Sequence, residues 1–121
     1  MEITRAYVKS ILPHRDPEGH KGTFGKVYCL CGAVGYTGAP VLAASAAVRS
    51  GSGLVFLGVP EDIWPIVAVK CDSAMPSPLP SQQGKLALAA EDAVRARIDG
   101  CDAVLIGCGM GRSEESDALT R

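Results

Sequence analysis

Apolar and polar positions along the chain fall into blocks that switch between short continuous runs and helical spacing. Ala6, Val8, Ile11 and Leu12, with polar residues between them, predict a short amphipathic helix over 4–12, capped by Thr4 and ended by Pro13. The charged, glycine-punctuated stretch from His14 to Gly22 reads as a loop. Val27 to Cys31 is an apolar run too short for a helix, which predicts a strand covered on both faces. From Ala39 to Val48 nearly every residue is small and apolar, so a helix there lies close to its neighbours, with Thr37 as its cap. Pro40 is tolerated in its first turn, whose amides have no helical partner to lose, and Gly51 and Gly53 end it.

Leu54 to Gly58 predicts a second buried strand, and Pro60-Glu61-Asp62 reads as a helix start with acids in the favoured first turn. Ile63, Trp64, Ile66, Val67 and Val69 form that helix's apolar face, with Trp64 expected in the core. Met75 to Ser81 is a proline-rich connection expected to skirt a sheet edge. Leu86 to Ile98 has helical spacing and is stopped by Gly100. Asp102 to Gly107 predicts a third buried strand, after which Ser113 caps a final helix with Glu114 and Glu115. Strands that alternate with helices specify an α/β unit, a mainly parallel sheet between helical layers. Three strands make a thin sheet, and Arg121 falls where the pattern predicts continuation, so the sequence reads as cut.

At 121 residues the chain is the size of one domain or part of one. Twelve Lys and Arg against 13 Asp and Glu leave no basic footprint for nucleic acid. The N-terminus lacks the charged and apolar regions of a signal peptide, and no window approaches the ~20 apolar residues of a membrane span. A soluble, cytoplasmic protein with no membrane partner is expected. The five cysteines are Cys29, Cys31, Cys71, Cys101 and Cys108, an odd number with no CxxC spacing. They read as free thiols, mostly in the core, and not as a metal site.

Two strand-loop-helix junctions carry glycines: Gly32-Ala33-Val34-Gly35-Tyr36-Thr37-Gly38 and Gly107-Cys108-Gly109-Met110-Gly111. In an open parallel sheet both face the carboxyl ends of the strands, where loop amides and helix N-termini line a crevice. The first loop is GxxGxxG, neither the GxGxxG dinucleotide fingerprint nor a Walker A loop. Tight turns and helix packing are the lesser alternative for each loop taken separately, and two such loops at successive strand ends point to a ligand crevice. Tyr36 is placed to stack on a ligand ring. His20 and Lys21 read as solvated or as phosphate contacts, and His14 as solvated. Ser50 and Ser52 lack a GxSxG elbow and a histidine placed to activate them, which argues against covalent catalysis.

Several ordered segments together resemble a known family. They are His20-Lys21-Gly22-Thr23-Phe24-Gly25, Gly32 with Tyr36-Thr37-Gly38-Ala39-Pro40-Val41-Leu42-Ala43-Ala44, Arg49-Ser50-Gly51-Ser52-Gly53-Leu54-Val55, Val59-Pro60-Glu61, and Ile106-Gly107-Cys108-Gly109-Met110-Gly111-Arg112. In this order they are similar to the NAD(P)H-hydrate dehydratases, ribokinase-like proteins that repair hydrated nicotinamide cofactors. The resemblance implies a three-layer α/β/α ribokinase-like fold, truncated, with residues 1–121 as the N-terminal part of its domain. It implies dehydration of (S)-NADHX or (S)-NADPHX driven by ADP or ATP with Mg2+. The ring hydroxyl is phosphorylated and phosphate is then eliminated, chemistry that needs positioning, an anion-stabilising helix end and a carboxylate base.

Carried over motif by motif, the resemblance places Ala39 and Gly109 against the hydrated dinucleotide, with Tyr36, Thr37, Gly38, Gly107 and Gly111 around them. Two positions depart from the family pattern: Cys108 stands where proline is usual, and Thr23 where an acid is frequent. The family's GTGD motif, which carries the catalytic aspartate and the anion hole, has no match here. No catalytic residue and no metal ligand is therefore expected in this chain, nor turnover by it alone. Alternative readings are a ribokinase-like small-molecule kinase, which generally lacks the HKG and YTGAP motifs, and a non-catalytic nucleotide-binding or assembly fragment. An apolar share of 47% against 21% charged residues favours further burial, and the relatives imply a homo-oligomer, a tetramer.

Overall fold

Residues 2–121 are described by a computed structural model. Thr4 caps α1 (Arg5–Ile11) by accepting the Tyr7 N–H, as its side chain predicts, but α1 buries none of its residues. Strand β1 (Lys26–Leu30) leads through the first glycine loop to α2 (Gly38–Arg49), and β2 (Leu54–Pro60) leads to α3 (Trp64–Lys70). Next come β3 (Met75–Leu79) and a short antiparallel hairpin of β4 (Ser81–Gln82) and β5 (Lys85–Leu86). A 3-10 turn (Leu88–Ala90), α4 (Glu91–Ile98), β6 (Ala103–Ile106) and α5 (Glu114–Leu119) complete the chain. Strands β3, β2, β1 and β6 form one parallel sheet in that order, with Cys29 of β1 level with Leu57 on one side and Leu105 on the other.

The pleat of β1 divides the core between two faces. Cys29 and Cys31 pack with Val55, Leu57 and Val59 beneath Ala44 of α2 and Val67 of α3. Tyr28 and Leu30 point the other way, into a cluster with Leu86, Ala90 and Val94 that α4 covers. This is the expected α/β/α sandwich, and the small residues of α2 let it lie on the sheet.

The structure differs from the sequence pattern in five places. The proline-rich segment is itself a fourth sheet strand, β3. Leu79 turns its carbonyl toward β2, where it accepts the Glu61 N–H at 2.9 Å. By alternation Pro76 and Pro78 face the free side, where an edge strand loses nothing by lacking a donor. Trp64 is correspondingly not in the core: it starts α3, is 36% exposed, and its indole N–H donates to the Pro76 carbonyl at 3.1 Å. β2 runs on through Pro60, so Glu61 and Asp62 precede α3 instead of filling its first turn. The helix expected from Leu86 begins only at Glu91, because Leu86 belongs to β5 and Leu88 to the 3-10 turn. Finally, β6 is an edge strand and not a buried one: Val104 and Ile106 are 38% and 44% exposed.

Candidate functional site

β1 and β6 are parallel neighbours, so the two glycine loops leave the same end of the sheet, side by side. They are stitched together at their roots. The Gly107 N–H donates to Leu30 at 3.2 Å and the Gly32 N–H donates to Cys108 at 2.9 Å. Gly32, Gly107 and Gly109 all have φ between +70° and +119°, which a side chain would strain. At Gly109 the approach is also steric. A Cβ there would lie 2.6 Å from the Ala39 Cβ and 3.1 Å from the Tyr36 Cβ.

Of the residues the sequence singled out, Tyr36, Ala39 and Gly109 thus meet directly. Thr37 and Gly38 sit between them at the start of α2. Gly38 and Gly107 border open space, with no atom within 4 Å of a Cβ built on either. Gly111 faces away from this contact, toward the Lys85 side chain at 3.2 Å. Tyr36 is 59% exposed, its ring free at the mouth of the crevice.

Thr37 does not cap α2 through its side chain. Its dihedrals are helical, φ −67° and ψ −20°, whereas a capping hydroxyl needs an extended backbone to reach back to the first-turn amides. Those amides are left without that partner, and the positive end of a 12-residue helix faces the crevice between the loops.

A third element escaped the sequence reading. The β4–β5 hairpin turns on Gln83 and Gly84, both with positive φ, and the Gly84 carbonyl accepts the Val34 N–H at 2.8 Å. The hairpin therefore closes one side of the first loop. Its only sequence signal is Gln83-Gly84-Lys85 with two residues between paired positions, the length of a tight hairpin turn.

Other candidates lie elsewhere. The Lys21 backbone packs on Gly53 just before β2 begins, at the opposite end of the sheet, and His20 uses its Nδ1 to accept the Gly22 N–H. His14, Ser50 and Ser52 line a separate concavity with Arg15 and Phe24, at that same far end. Neither loop of the crevice contains Asp, Glu or His. Burial, reinforced by Cys29 and Cys108, pushes the Cys31 thiol from its ordinary value up to about 12, so Cys31 is neutral beneath the crevice floor. All five cysteines are free; Cys29 and Cys31 are buried, Cys71 and Cys101 half-buried and Cys108 exposed. Among the described residues no helix is long and apolar enough to cross a membrane.

Residues 27–121 match the family model for NAD(P)H-hydrate dehydratase. A bifunctional NAD(P)H-hydrate repair enzyme from Moorella thermoacetica is 40% identical over 120 residues, 98% of this chain and 23% of that protein. The crystal structure of the ADP/ATP-dependent NAD(P)H-hydrate dehydratase from Bacillus subtilis, co-crystallised with ATP and Mg2+, superposes with a TM-score of 0.74 at 30% identity, over 97% of this chain and 39% of that one. A ribokinase-like protein from Enterococcus faecalis shares the fold, with a TM-score of 0.77 at 20% identity. The chain spans about a quarter of the first relative and two fifths of these solved structures. The five ordered motifs, the sheet topology and the family match agree: this chain belongs to the NAD(P)H-hydrate dehydratase family.

Proposed function

We propose that these residues form one wall of the substrate crevice in a nucleotide-dependent dehydratase that returns (S)-NADHX and (S)-NADPHX to NADH and NADPH. The observation that carries this reading is the meeting of Gly109 with Ala39 and Tyr36 beside the N-terminus of α2, which has no side-chain cap. Ala39 and Gly109 bound the dinucleotide, the exposed Tyr36 ring stacks on one of its planar groups, and the first-turn amides of α2 attract a phosphate oxygen. Gly38 and Gly107 leave room for the ligand beside the backbone, Gly111 turns the second loop away toward Lys85, and the Val34 N–H held on the Gly84 carbonyl fixes the far side of the first loop.

ADP or ATP with Mg2+ supplies the phosphoryl group that converts the ring hydroxyl into a leaving group. The residues of this chain do not fit a role in holding them. Among the described residues no three His, Cys, Asp or Glu side chains cluster to take a metal, and the crevice loops contain no acid to accept the hydroxyl proton. This chain binds and orients; the base and the nucleotide site belong to the rest of the family domain. The proposal extends to a cytoplasmic homotetramer. Exposed Ile11, Leu12, Leu42 and Val69 supply apolar surface for such an assembly to cover, which light scattering on the purified protein measures.

The test is recovery of NADH absorbance from NADHX with ADP or ATP by the protein at its natural length. Gly109→Val is expected to raise the dissociation constant for the hydrated dinucleotide at least tenfold, about 1.4 kcal/mol. Unchanged binding overturns the assignment of the second loop. Residues 1–121 alone are expected to give no turnover, and measured turnover overturns the division of labour.

A further inference from the structure

Cys108 is the exposed cysteine of the chain and Cys31 is fully buried, yet they are neighbours across the root of the crevice. The register that sets Leu30 level with Ile106 brings the next residues, Cys31 and Gly107, alongside, with Cys108 one step on. The 2.9 Å bond from Gly32 N–H to the Cys108 carbonyl fixes this approach. The backbone amide and the thiol of Cys108 are both polar neighbours of the Cys31 sulfur. A parallel strand spacing of about 4.8 Å with a one-residue stagger of about 3.3 Å separates two Cα atoms by about 6 Å, within the range a disulfide spans. Cys29 lies one pleat deeper on the same face, and Cys71 and Cys101 lie outside this contact.

We propose that Cys108 and Cys31 are a hydroperoxide-sensitive thiol pair, Cys108 the thiol that is oxidised and Cys31 the thiol that resolves it. The Cys108 thiol gives up its proton as its sulfur attacks one oxygen of the hydroperoxide; the O–O bond breaks, the departing oxygen takes that proton and leaves as water (or an alcohol), and a sulfenic acid results. The Cys31 sulfur then displaces the sulfenic oxygen, which leaves as water with the Cys31 proton, and the S–S bond forms. The hydroperoxide is reduced by two electrons and the two thiols together supply them. The roles follow from exposure: the oxidant reaches Cys108, while Cys31, buried and neutral, meets only the product formed beside it. The bond fastens the second glycine loop to the end of β1 and stops Cys108 from advancing to irreversible sulfinic acid.

The experiment treats the protein at its natural length with hydrogen peroxide, blocks remaining thiols, and reads tryptic peptides without reduction. Val27–Arg49 carries Cys31, Ile98–Arg112 carries Cys108, and fragmentation of the joined pair locates the bond. A Cys31–Cys108 link that thiol reductants reverse is the expected result. Dimedone added with the peroxide is expected to label Cys108 and suppress the link, and Cys108→Ser to abolish it. A link to Cys29, a sulfinic Cys108 with no link, or oxidation of Cys71 or Cys101 ahead of Cys108 overturns the proposal. The readout is a mass and holds whatever the crevice binds.

Discussion

Gly109 of the second loop and Ala39 of α2 stand so close that a Cβ built on the glycine lies 2.6 Å from the alanine methyl. The two loops are mutually fitted, and with Tyr36 they form a single surface. Gly109→Ala adds the strain of a side chain at φ +70° to this overlap, and is expected to cost about 2–4 kcal/mol of stability. Ala39→Gly in the same chain removes the overlap but not the strain. A double-mutant cycle in urea is expected to show a favourable coupling of about 1 kcal/mol or more, and additive losses would mean that the residues do not touch.

Two other glycines should respond in opposite directions. At Gly53 a side chain would collide with the Lys21 backbone carbonyl, which cannot swing aside, so Gly53→Ala is expected to unfold a large fraction of the protein at ambient temperature. Gly38 opens α2 onto empty space, and Gly38→Ala is expected to raise stability by about 0.4–1 kcal/mol by narrowing the unfolded ensemble. Circular dichroism melts of both variants separate the cases.

Loss of the α5 cap is a third test. The Ser113 hydroxyl accepts the Ser116 N–H at 3.1 Å while the Ser116 hydroxyl accepts the Ser113 N–H at 2.9 Å, a reciprocal box at the start of a six-residue helix. Ser113→Ala is expected to cost about 0.5–2 kcal/mol and to speed hydrogen exchange at Ser116 more than at Leu57.

The sheet should also weaken in alkali. Burial raises Tyr28 from 10.0 to about 12, and burial followed by its cysteine neighbours raises Cys31 from 9.0 to about 12. Both groups are neutral when folded, so above their ordinary values the unfolded chain binds fewer protons than the folded one. Stability is full below about pH 9 and falls as pH rises toward about 12, at most by roughly 1.4 kcal/mol per pH unit for each group. Tyr28→Phe and Cys31→Ala should each flatten the fall in urea midpoint over that window. An identical slope in both variants would remove these groups as its cause.

Much of this was legible in the residues themselves. Thr4 and Ser113 marked their helix starts because a hydroxyl before a polar turn has one strong local use. The apolar run at 27–31 marked β1 because burial on both faces leaves no alternation to read. The misreadings occurred where neighbours decide. Pro76 and Pro78 argue against a strand until an edge is available on which alternate residues need no donor. Leu86 and Leu88 fit a helical stripe equally well, and only the Gln83-Gly84 turn assigns them to a hairpin and a 3-10 turn. Thr37 has the chemistry of a cap but is already wound into the turn. Val104 and Ile106 look as buried as Val55 and Leu57, since sequence records what a strand can bury and not what stands beside it. The crevice was visible as two glycine loops; the hairpin that closes its side was not.

The prolines of β3 also give the sheet a direction of growth. On that flank Pro76 and Pro78 offer no N–H to a newcomer, and the Pro76 carbonyl is already claimed by Trp64. Among the described residues β6 has no partner strand on its far side, and that edge keeps its donors and acceptors for another strand. Because the second glycine loop springs from β6, whatever extends the sheet arrives next to the crevice. A strand added there would lie beside the second glycine loop, so a β6 variant that rejects such a strand is expected to disturb the sheet edge and that loop together.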